Sequence, residues 1–110
     1  MDIKEEYEEL TRRLKETVPF TAFPIRELVQ ELRKKGQTIT LKTELIVKDV
    51  YNSGDISGII CATEQIGKDA LACGLTHLII SNKHPLYKEI SEYQKKRNKR
   101  IQKLNQMGWN

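Results

Sequence analysis

The chain has 110 residues, 38% apolar and 31% charged, enough for one domain with a single core and too apolar for general disorder. No apolar run approaches the ~18 residues of a membrane span, and the acidic opening MDIKEEYEEL is the reverse of a signal or transit peptide. The net charge of +4 is unevenly placed: the first 82 residues hold eleven Lys and Arg against thirteen Asp and Glu, and the last 28 hold eight against two.

Ile3, Tyr7, Leu10 and Leu14 recur at helical spacing, behind Asp2 as an N-cap and with acidic residues early and Arg12, Arg13 and Lys15 late, as the helix dipole favours. Pro19 interrupts, with Phe20 and Phe23 expected as plugs between helices. Pro24 suits the first turn of a second helix with the stripe Ile25, Leu28, Val29, Leu32, closed by Gly36 in a left-handed conformation.

From Gln37 the period becomes two, which predicts a strand running to about Tyr51. NSGD is a turn, GIICAT a short central strand, EQIGKD another turn, and ALACGLTHLII a third strand. SNKHPLYKEI opens a last helix whose stripe runs Leu86, Ile90, Tyr93, meets Arg97, and resumes at Ile101 and Leu104. The order is α-α-β-β-β-α. The expected fold is α+β, a three-stranded antiparallel meander packed by helices, in one domain over residues 1–110 with 94–110 a basic C-terminal helical extension.

Chemistry has few candidates. No nucleophile elbow, P-loop, zinc-protease or dinucleotide motif is present, so no enzymatic role, catalytic residue or cofactor is expected. Two cysteines make no disulfide framework, and a cytoplasmic setting would leave their thiols reduced. Cys73 and His77 on one strand lie about 13 Å apart, too far to share a metal, so none is expected. Whether Cys61 faces Cys73 depends on the register of the EQIGKD turn. His77, within an apolar strand, reads as a core histidine. SGDISG reads as a hairpin turn rather than an anion nest.

The last helix carries the functional expectations. Apolar residues beyond the reach of a small sheet suggest a protein partner or a second copy of the chain, met through Tyr93, Arg97, Ile101, Leu104 and Trp109; the first helix folded alongside would answer the same need. The alternative is nucleic acid, held by Lys95, Lys96, Arg97, Lys99, Arg100 and Lys103, six cations within nine residues. Against it stands the solvating role that lysines play on any helix that outruns its core. Membrane docking is not expected, since the basic segment lacks interleaved apolar residues.

Overall fold

The computed structural model describes residues 2–64 and 70–107. It is an α+β fold with an antiparallel sheet, as expected, but with five strands instead of three. In chain order the elements are α1 (Ile3–Lys15), β1 (Phe20–Pro24), α2 (Arg26–Lys34), β2 (Leu45–Asn52), the single helical turn α3 (Gly54–Ser57), β3 (Ile59–Thr63), β4 (Ala72–Gly74), a 3-10 turn (Leu75–His77), β5 (Leu78–Ile80) and α4 (Tyr87–Gln106). Sheet order is β4-β3-β2-β1-β5, every pairing antiparallel.

Three expectations are corrected. The segment around Phe20 and Phe23 is a strand: Phe20, Ala22 and Pro24 point inward and Thr21 and Phe23 outward. Pro24 is registered with Leu78 of β5, but because Ile25 N–H bonds the His77 carbonyl on that side, the Pro24 nitrogen turns towards β2, past its last pair, Ala22↔Leu45, where a missing N–H costs no bond. The strand predicted from Gln37 begins only at Leu45. Thr40 N–H is taken by the Thr43 hydroxyl at 2.9 Å and Lys42 N–H by the Thr40 hydroxyl at 3.2 Å, so local side-chain bonds make a turn where alternation suggested a ladder. Ile39 is nevertheless buried, its carbonyl held by Arg33 Nε at 2.9 Å.

The third correction shapes the whole sheet. ALACGLTHLII is two strands on opposite edges, because the 3-10 turn shifts the buried parity from Cys73 and Leu75 to Leu78 and Ile80. His77 consequently ends the turn on the surface and is no core histidine. A flat five-stranded sheet would hold its edge strands about 19 Å apart. The link from Gly74 to Leu78 spans at most about 14 Å, so the sheet must curl towards a barrel. Gln94 of α4 fastens the link, its Nε2 donating to the carbonyls of Leu75 at 2.9 Å and Leu78 at 2.8 Å.

The helices largely follow the sequence. Asp2 Oδ1 accepts from Glu5 N–H at 2.8 Å and starts α1. Past α2, Gly36 adopts φ +88°, and the amides of Gly36 and Gln37 return to the carbonyls of Arg33 and Leu32, the left-handed termination expected. Tyr7, Leu10 and Leu14 of α1, Leu28, Val29 and Leu32 of α2, and Ile90 and Tyr93 of α4 join the inward residues of the sheet in one core.

A histidine pins the two long helices together at one end. His84 Nδ1 accepts from Leu86 N–H at 3.0 Å, so the ring proton sits on Nε2 and is donated to Thr17 Oγ1 at 3.1 Å; that hydroxyl in turn donates to the Leu14 carbonyl. The ring also stands edge-on to Phe20. Burial pushes the His84 pKa below its ordinary value. As pH falls, the unfolded chain therefore takes up the proton first. The histidine's contribution is complete above the unfolded value of about 6.5 and is lost as pH drops through the lower folded value. Thermal unfolding followed by circular dichroism should show a midpoint that falls from about pH 7 to pH 5.5, and His84→Gln should flatten that segment of the profile.

Candidate functional site

α4 is 20 residues long, about 30 Å, and packs antiparallel to α1. Thr17 beyond the end of α1 meets His84 before the start of α4, Tyr7 meets Tyr93 edge-to-face at 5.3 Å, and Glu6 approaches Lys96 at 4.0 Å. The first helix is thus seated on the apolar stripe at Tyr93, while Ile101 and Leu104 lie past its start. Since Ile3 falls opposite roughly residue 98, the last turns of α4 overrun α1 by about 12 Å.

The inward face of α4 closes on the β2–β3 connection. Arg97, 3% exposed, donates to the carbonyls of Asp55 and Ile56, to Tyr7 Oη at 3.3 Å, and lies 3.5 Å from the Asp55 carboxylate. Its guanidinium sits 5.9 Å from the centre of the Tyr7 ring. Arg100 forks onto the same carboxylate, Nη2 to Oδ2 at 2.6 Å and Nε to Oδ1 at 3.1 Å. The hydrogen bonds from Arg100 and the nearby charge of Arg97 hold the Asp55 carboxyl below the usual carboxylate range. Tyr93 Oη accepts from Ile59 N–H at 2.9 Å, and burial pushes this phenol up to about 12. Gly58, at φ +72°, lets the chain pass beneath both side chains. The SGDISG turn is therefore occupied by arginine from its own chain.

This clasp redistributes the residues expected to bind a partner. Tyr93, Arg97 and Leu104 are buried by the chain itself, Ile101 is half-buried, and Trp109 lies outside the described residues. A row with those residues free to meet a partner is not what the fold presents. Of the six cations considered for nucleic acid, Arg97 and Arg100 are committed to Asp55, and Lys96 is exposed near Glu6. Lys95, Lys99 and Lys103 are exposed, and none has a carboxylate within ion-pair distance among the described residues.

At about 100° per residue, Lys95, Lys99 and Lys103 fall within an arc of about 80°, opposite the face carrying Tyr93, Arg97 and Leu104. Lys88, also exposed, extends the row towards the start of α4. Beside it runs a second row, exposed Asn98, Gln102 and Asn105. Glu89 and Glu92 stand nearer the N-terminal end, where with Glu6 and Glu9 they flank the cleft between α1 and α4. From Tyr93 to Gln106 the helix has no acidic residue.

Sequence reasoning missed Tyr7, Asp55 and Gly58 as partners of Arg97. The available signal was Arg97 itself, a cation inside an apolar stripe, which requires buried acceptors from elsewhere in the chain. The cysteine question is answered: Cys61 and Cys73 are direct cross-strand partners, both buried. Burial pushes their thiols up to about 12 and about 11, the opposite of an activated nucleophile. His77 is exposed and stands apart from this buried pair. Among the described residues no three His, Cys, Asp or Glu side chains converge as a metal site, and no helix is long and apolar enough to cross a membrane. Comparisons with protein-family models, curated proteins and solved structures return no match, so the reading of this site rests on its own geometry.

Proposed function

We propose that this is a non-enzymatic cytosolic protein that binds nucleic acid through its phosphates, using the outer face of α4. One observation carries the reading: Lys95, Lys99 and Lys103 project away from the buried face, free of carboxylate partners among the described residues. One-turn steps of about 6 Å along the axis suit a row of cations laid along a polyanion. The body beneath is slightly acidic, so the attraction is directed to this one face. The arginines of the clasp are not part of the contact; they fix the helix that presents the lysines.

Fluorescence anisotropy with a labelled duplex across a salt series tests this. Three phosphate contacts give a log–log slope near −2.7, and each Lys→Ala change at 95, 99 or 103 should remove about 0.9 from it. No binding at low salt overturns the proposal. A second reading, association with a protein, is favoured by the directly paired and outward-facing Phe23 and Ile79, 37% and 54% exposed. Light scattering on the free protein distinguishes it from a monomeric nucleic-acid binder.

A further inference from the structure

Resting on the nucleic-acid reading above, we infer that the ligand is double-stranded DNA, with Lys95–Gln106 of α4 lying in the major groove and the amide row Asn98, Gln102 and Asn105 facing adenine edges.

The lysine row and the amide row together occupy a continuous arc of about 160° on a helix of 3.6 residues per turn. All six side chains are exposed. A helix presenting nearly half its circumference can enter a groove with its lysine flank towards the phosphates and its amide flank towards the bases. The major groove of B-form DNA, about 12 Å wide, admits an α-helix. That of an RNA duplex is too deep and narrow for side chains to read, which sets RNA duplexes aside.

Single strands fit less well, because their general binders rely on rows of aromatic side chains for stacking. The segment from Lys95 to Gln106 has no aromatic residue. Of the exposed aromatics among the described residues, Phe23 and Tyr51 lie on the sheet strands β1 and β2, and Tyr87 stands alone at the start of α4, about 12 Å along the helix before Lys95.

Asn98, Gln102 and Asn105 stand at i, i+4 and i+7, spanning about 10 Å of helix, close to three steps of about 3.4 Å along the duplex. Asn and Gln pair in bidentate fashion with adenine, the side-chain NH2 donating to N7 and the side-chain carbonyl oxygen accepting from the N6 amino group. The lysines alone would give affinity without sequence preference. A row of amides beside them adds a preference for A·T pairs, because G·C pairs present a different donor and acceptor pattern in that groove.

The test uses the full chain and equal-length labelled probes at one salt concentration: an A·T-containing DNA duplex, a G·C-only duplex, the first duplex with 7-deazaadenine in place of adenine, an RNA duplex and a single strand. The A·T duplex should bind about tenfold tighter than the G·C duplex. The 7-deaza probe has the same charge and minor groove but no N7 acceptor, so it should lose that advantage. N98A/Q102A/N105A, changed only at exposed positions, should also lose it while keeping the wild-type salt slope. Equal affinity for the A·T, G·C and 7-deaza duplexes overturns the groove assignment and leaves phosphate binding standing, as does tighter binding to the RNA duplex or single strand. Binding to none of the probes overturns the nucleic-acid reading itself.

Discussion

Arg97→Ala should destabilise the fold by about 3–5 kcal/mol, the range for removing one partner from a buried charged network. The substitution leaves the carbonyls of Asp55 and Ile56 without their guanidinium and withdraws a cation from Tyr7 Oη and the Asp55 carboxylate. Against a total stability of about 5–15 kcal/mol, that is a fifth or more. Urea denaturation should show a lower midpoint at an unchanged m-value. Replacement by an apolar residue of similar volume should not rescue it, because the stranded acceptors include backbone carbonyls that no side-chain change removes. Nor should Arg97→Lys, since an ammonium cannot reproduce the planar fork. If Arg97 were instead a surface phosphate contact, the alanine variant would change stability by no more than about 0.5 kcal/mol, and that result would refute the clasp.

Gly58→Ala should match it at about 3 kcal/mol or more. Two effects add. The residue sits at φ +72° and ψ −152°, a region open almost only to glycine, where another residue incurs about 1–3 kcal/mol of strain. A β-carbon there would also stand 2.6 Å from Tyr93 Oη and 2.8 Å from Arg97 Nε. Neither neighbour is a loose surface chain: Tyr93 is tied to Ile59 N–H and Arg97 to the α3 turn. Because the two sites share these partners, Gly58→Ala combined with Arg97→Ala should destabilise by less than the sum of the single changes, with a coupling above about 0.5 kcal/mol. Strict additivity in the double-mutant cycle would show that glycine and arginine do not belong to one structure.

What the sequence disclosed depended on whether the cause was local. α1, α2 and α4 were legible because their stripes, the Asp2 cap of α1 and Gly36 after α2 act within a few residues of one another, although α2 and α4 start at Arg26 and Tyr87, after the prolines expected in their first turns, and carry no side-chain cap. β1 was hidden because Pro19 and Pro24 are strong breaking signals; only its neighbours, Ile80 on one side and Leu45 on the other, make FTAFP a strand. The division between β4 and β5 was hidden because apolar residues continue through Leu75, and a 3-10 turn shifts parity without a glycine–proline signature. On α4, six cations spread around a circumference gave no way to separate those facing solvent from those facing Asp55. The phase of the stripe was visible, with Arg97 inside it, but its acceptors lie some forty positions earlier and carry no local mark.

The link that draws β4 and β5 to opposite edges has a consequence for biosynthesis. Ala22 pairs with Ile80, so β1 leaves the ribosome long before its outer neighbour is made, an interval of about 3–12 s at ordinary elongation rates. The arginine that secures the β2–β3 connection emerges later still. From the time β2 is made until β5 and α4 follow, Phe20, Leu45 and Val47 lack part of their final cover, so the nascent chain keeps apolar surface in water until the closing helix has been translated.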